Sequence, residues 1–183
     1  MKTYFLRESF RNKNLRKIHH SESGFSLIEL AVIVVMIGIF SAIAAPVWDV
    51  FVSRQRVGAV NNQVLQALQS AQAEAKRTKQ NVEVTFNFNS PTVDPPTYTL
   101  NGVNPQKLNI GGEIKEEMIT LSPNAAKITF NHIGAVDKEN TTIILPFKVV
   151  VAPAGSTNSS SQRCVIVQTI LGAMRTAEGS DCQ

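Results

Sequence analysis

The spacing of hydrophobic positions changes twice along this chain, and each change marks a new kind of element. Over residues 30–45 no charged residue occurs, and Gly38 and Ser41 are the interruptions in an otherwise apolar run. Carried through Val47 and Trp48, the run is long enough for a bilayer-crossing helix of ~20 residues. Beyond Pro46 the pattern becomes one-sided. Val47, Val50, Phe51, Val57, Val60, Val64, Ala67, Leu68, Ala71 and Ala75 recur at steps of three and four. Arg54, Arg56, Asn62, Gln66, Gln69, Glu74 and Lys76 occupy much of the remainder. This predicts an amphipathic helix that leaves the membrane, runs to about Lys79 and packs its apolar stripe on a domain core. Unbroken from Phe25 to Lys79, such a helix would span roughly 80 Å at ~1.5 Å per residue. Gly38 and Pro46 weaken it, Pro46 by removing a backbone donor and crowding the preceding turn.

After Asn81 the period switches to two. Val82, Val84, Phe86 and Phe88 alternate with polar residues, as in a half-buried strand. A loop over 90–96, a short strand over 98–100 and an Asn101-Gly102 turn follow. Further strands are expected over 118–121, at Ala126, Ile128 and Phe130 after a Ser122-Pro123-Asn124 turn, and over 141–151, with Pro146 marking an edge or bulge. A serine-rich loop over 155–162 precedes a last clear strand over 164–167, and Leu171-Gly172 turns the chain back towards Arg175 and Cys182. The sum is an α+β fold, a long N-terminal helix packed on an antiparallel β-sheet domain. It divides the chain into a polar leader (1–24), a membrane helix (25–48), its amphipathic continuation (49–80) and a β-rich globular part (81–183).

Charge sharpens this division. The sequence pI of ≈ 9.2 invites a nucleic-acid reading. However, Lys2, Arg7, Arg11, Lys13, Arg16 and Lys17 against Glu8 and Glu22 account for the whole formal charge of +4, so the rest of the chain is balanced. A basic leader before an apolar helix stays cytoplasmic, which exports everything after the helix. Export in turn bears on Cys164 and Cys182, the two cysteines. An even count in an exported domain favours one disulfide, with two free thiols as the alternative. Neither lies in a metal-binding spacing, and His132 is the one histidine beyond the leader. No metal site and no cofactor are expected.

One residue conflicts with the membrane pattern. Glu29 sits about a turn into the apolar helix, where an acid costs roughly 2.5–3.5 kcal/mol on insertion scales and marks a functional site with a partner to be named. A chain beginning at Phe25 would place its α-amino group four residues before Glu29, on the same helical face. Gly24-Phe25-Ser26-Leu27-Ile28-Glu29, the basic leader, the apolar helix and Pro46 together resemble a type IV prepilin. The resemblance implies cleavage after Gly24 and N-methylation of Phe25 by a prepilin peptidase in the inner membrane. It also implies packing of the helix into a filament core, with loosening across 38–46, and makes Glu29 and Pro46 assembly residues. A cleaved secretory signal fits worse, because its small-residue site would follow the apolar run.

The helix around Arg54-Gln55-Arg56, the run 68–80 and the ending Arg163-Cys164-Val165…Leu171-Gly172…Arg175…Cys182 are similar to minor pseudopilins of the GspH/FimT kind. That likeness implies a structural, non-enzymatic subunit of a type II secretion pseudopilus or a type IV pilus. Its partners would be other pilin or pseudopilin subunits, prepilin peptidase, inner-membrane assembly machinery and, before assembly, membrane lipid. The exported domain would lie in the periplasm or outside the cell. Two alternatives belong to other classes. Some relatives in the FimT branch capture DNA through a Gly-Arg-x-Arg turn, and here Gly172-Ala173-Met174-Arg175 keeps one of the two arginines. Lys76, Arg77 and Lys79 form a second basic group, of the kind that also complements a helix C-terminus. With a neutral mature chain, nucleic acid is not expected as a partner at physiological salt. A membrane-anchored protein with an activity of its own is the other alternative, but no nucleophile and base can be paired, and no G-x-S-x-G, HExxH, P-loop or calcium loop occurs.

Overall fold

The computed structural model describes residues 24–87, 95–109, 111–112, 114, 117–138, 144–156 and 158–183. The helix α1 runs Leu27–Thr78, and its backbone stays helical through Gly38 and Pro46. It contributes to two units, one ending at Ile43 and one beginning at Ala44. In the first, every described side chain from Gly24 onward is exposed. Lys79 ends the helix by taking a left-handed conformation, φ 58°.

Among the described residues, the second unit adds eight strands in two antiparallel sheets. These are β1 (Val82–Asn87), β2 (Thr97–Leu100), β3 (Val103–Lys107), β4 (Ile119–Pro123), β5 (Lys127–Phe130), β6 (Phe147–Pro153), β7 (Arg163–Val167) and β8 (Met174–Glu178). The first sheet has the order β3-β2-β1-β5 and the second β4-β6-β7-β8. The expected α+β arrangement is present, with its strands divided between two sheets. Both sheets and the helix feed one core. Val57, Val60, Val64, Leu68, Ala71 and Ala75 from α1 meet Val84, Phe86 and Ile128 from the first sheet and Phe147, Val149 and Val165 from the second. The rings of Phe86 and Phe147 stack across the two sheets with centroids 6.4 Å apart. Alternation sets the registers: Val84 pairs with Leu100 on one side and Ile128 on the other, so a one-residue slip would turn this row out of the core.

Several boundaries differ from the sequence reading. Val50 and Phe51 belong to the helical stripe by spacing, yet they are 51% and 52% exposed; the buried stripe starts at Val57. Ser122 and Pro123 complete edge strand β4, and the turn falls on 124–126. There the Asn124 side chain accepts from the Lys148 N–H and donates to the Pro146 carbonyl, both at 2.9 Å. The expected strand over 141–151 begins at Phe147, after Pro146, and 141–143 lie outside the described residues. β3, all of it exposed, and β8, with Ala177 its buried residue, are strands that the apolar pattern does not announce. Phe88, most of the 90–96 loop and residues 1–23 of the leader also lie outside the described residues.

Candidate functional site

At the helix start, Ser26 stands just before α1 and its hydroxyl oxygen accepts from the Glu29 N–H at 3.2 Å. Ser26-x-x-Glu29 is therefore an N-terminal cap, with an acid in the first turn where the helix dipole favours it. The Ser-x-x-Glu spacing was readable in the sequence and offers Glu29 a local role beside the charge-pairing one. Gly24 is exposed, and a Cβ added to it would meet nothing within 4 Å. Phe25 is 76% exposed. The stretch Leu27–Ala44 is long and apolar enough to cross a membrane, none of it is buried within the protein, and Glu29 is its sole ionisable residue. A helical stretch that is apolar on every side and exposed needs an apolar environment around it. Pro46 lies within the helical backbone past this stretch.

The basic candidates are dispersed among different roles. Arg77 donates through Nε and Nη2 to the two carboxylate oxygens of Glu74, at 2.9 and 2.7 Å. Its hydrogen bonds hold the exposed Glu74 carboxyl below the usual range. Lys76 lays its stem against Gly134, and Lys79 terminates the helix. Arg175 is exposed on β8, opposite Ile166 of β7. Among the described residues, no three His, Cys, Asp or Glu side chains gather as metal ligands, and His132 lies in a turn.

The Leu171-Gly172 turn is organised by a residue that sequence reading passed over. Gln72 of α1 donates through Nε2 to the carbonyls of Gly134 at 2.8 Å, Gly172 at 3.2 Å and Leu171 at 3.4 Å. The Val136 N–H donates to the Ile170 carbonyl at 2.7 Å, which ties the turn of one sheet to that of the other. Gly172 has φ +77°, and a Cβ there would lie 2.8 Å from the Gly134 carbonyl and against the Gln72 amide. Gly172→Ala should therefore destabilise the fold by roughly 1–3 kcal/mol, combining left-handed strain with displacement of the Gln72 amide. Denaturant unfolding monitored by circular dichroism checks this.

Cys164 of β7 is bonded to Cys182 in the C-terminal 3₁₀ turn, with Cα atoms 5.7 Å apart. Cys164 and Ile166 point away from Val165 and Val167, and with Ala177, Cys182 and Val150 they form a small second core on the outer face of the second sheet. The bridge thus fastens the chain end over a face that would otherwise be wet. With the cysteines 18 positions apart, the chain-entropy account gives roughly 3 kcal/mol for its closure. A Cys164→Ala/Cys182→Ala chain should lose about that much unfolding free energy, and the intact chain should not react with an alkylating agent, even when unfolded, until it is reduced.

No protein-family model and no curated protein matches the chain. Among solved structures it is similar to the type IV minor pilin FimU of Pseudomonas aeruginosa (strain PAO1), at 12% identity and TM-score 0.44, covering 69% of this chain and 92% of that one. It is also similar to the minor pseudopilin EpsH of the Vibrio cholerae type 2 secretion system, at 18% identity and TM-score 0.43, covering 64% of this chain and 93% of that one.

Proposed function

We propose that this chain is a structural, non-enzymatic subunit of a pilin-like filament, a minor pilin or pseudopilin. It is made with a basic leader, cut between Gly24 and Phe25 by a prepilin peptidase, methylated on the Phe25 amine and held in the inner membrane until assembly. The observation that carries this reading is Glu29, a lone acid in a helix exposed and apolar on every side, five residues after Gly24. Once the chain begins at Phe25, the new amine lies within reach of Glu29 of the same chain or of an adjacent subunit. In a dry filament core the pair sets axial register, because a misplaced subunit leaves both charges unpaired. The β-rich unit, stapled by its disulfide, supplies contacts to other subunits in a secretion pseudopilus or a type IV pilus. For DNA capture, Arg175 is the single arginine where the Gly-Arg-x-Arg turn has two, and Arg77 is already paired with Glu74.

Immunogold labelling of sheared filaments against a tag on the C-terminal unit tests the assignment. Label on filaments is expected, and label confined to membrane fragments contradicts it. Loss of secretion, twitching or transformation on deletion then assigns the machine.

A further inference from the structure

Beyond the apolar span, α1 carries an aromatic pair followed by a cationic groove. Trp48 follows Ala44, the last residue of the span, by four positions. It is 66% exposed, and its ring lies 5.9 Å from that of Phe51, which is itself half exposed. Phe51 also lines a groove of ≈ 560 Å³, together with Gly58, Ala59 and the two guanidinium side chains of Arg54 and Arg163. Arg163 reaches over from β7 because Gly58 leaves room for it: a Cβ at Gly58 would stand 2.8 Å from its Nη1. Its Nη2 holds Glu178 at 3.0 Å, so one carboxylate offsets one of the two cations. Arg54 is exposed and enters no ion pair among the described residues. An adjoining recess places Ser160 and Ser161 beside the same two arginines. Asp49, the nearest acid in sequence, falls on the helix face of Ser53 and Arg56, away from Phe51, Arg54 and Gly58.

We propose that this groove takes the phosphate-bearing headgroup of an anionic phospholipid from the leaflet in which Trp48 and Phe51 lie. The proposal rests on the reading of α1 as membrane-spanning. An exposed tryptophan just past an apolar span is the arrangement of an interfacial belt, where amphipathic rings sit at headgroup level. Arg54 is six residues beyond Trp48, about 9 Å along a helix. Helical side chains lean towards the N-terminus, here towards the bilayer, and an arginine stem can lie along apolar surface while its head seeks phosphate. With the hydrocarbon edge at Trp48, where the apolar run ends, the headgroup layer adds roughly 5–7 Å, and the N-terminal lean of the side chain brings the Arg54 guanidinium within its range. A planar guanidinium matches phosphate oxygens bidentately, and the serine hydroxyls can donate to the rest. Continuity with the aromatic pair favours lipid over an acidic segment of a neighbouring subunit, which would have no use for rings placed at the bilayer edge.

The chain has one tryptophan, Trp48, so its fluorescence reports on this place alone. The full chain would be reconstituted in phosphatidylcholine vesicles containing a small, fixed fraction of brominated lipid, either brominated phosphatidylglycerol or brominated phosphatidylcholine. Attraction at an anionic surface enriches lipid about fivefold per effective arginine. Brominated phosphatidylglycerol should therefore quench Trp48 several-fold more strongly than brominated phosphatidylcholine, with the excess reduced by salt. Arg54→Gln should bring the two lipids close to parity and Arg54→Glu should reverse the preference, while circular dichroism stays unchanged. Equal quenching of the unaltered chain by both lipids, or a preference that survives Arg54→Glu, overturns the headgroup site and leaves the span standing. Absence of quenching by either lipid removes the span itself, and the proposal with it.

Discussion

A Glu29→Gln chain is expected to be cleaved and held in the membrane, yet missing from sheared assemblies. Glutamine keeps the size of the side chain and also serves at the third helical position of a cap, so the Ser26–Glu29 arrangement survives the change. Removing a charge from the apolar helix makes insertion no harder. What is lost is the counter-charge for the Phe25 amine. An unpaired charge buried in an apolar core costs several kcal/mol, enough to lower incorporation about a hundredfold or more. Ser26→Ala separates the two roles of this turn. It removes the cap at a cost of about 1 kcal/mol and should leave incorporation near normal. Fractionation of processed protein between inner membrane and sheared filaments reads both variants. Normal incorporation of the Gln variant would reduce Glu29 to a capping residue on a simple anchor.

Processing should respond to Gly24 almost as a switch. Gly24 is exposed and, among the described residues, nothing within 4 Å would meet a Cβ there, so Gly24→Val has little packing cost against them. The effect is expected in recognition by the proposed peptidase, which needs an unobstructed approach to the bond before Phe25. The valine variant should accumulate as a full-length membrane species, with mature protein reduced by at least an order of magnitude, which immunoblotting of membrane fractions measures.

The features readable in the sequence are those set by local periodicity. The step of three and four identified Val57, Val60, Val64, Leu68, Ala71 and Ala75, all of which are buried. It could not exclude Val50 and Phe51, because a period defines a face of a helix and not where its covering partner begins. The division into two sheets was hidden for a related reason, since partner choice among strands depends on residues far apart in sequence. β3 was unreadable because an edge strand with Pro105 and five exposed residues needs no apolar alternation. β8 contributes Ala177 to the outer core and otherwise faces solvent. Gln72 looked like any polar residue on a solvated helix face, and its partners lie 62 to 100 positions away. The cysteine pairing followed from count and compartment, but the second small core beneath it did not. At the helix start the Gly24, Phe25 and Glu29 pattern stood out because it violates the apolar run, whereas the Ser26 cap conforms to ordinary helix chemistry and drew no notice.

Prepilin processing is decided by the intact mass of the protein purified from membranes that contain a prepilin peptidase. The expected mass is that of a chain beginning at Phe25, one methyl group heavier and two hydrogens lighter for the Cys164–Cys182 bridge. A chain that keeps its basic leader, or one cut after the apolar run, would rule out prepilin processing.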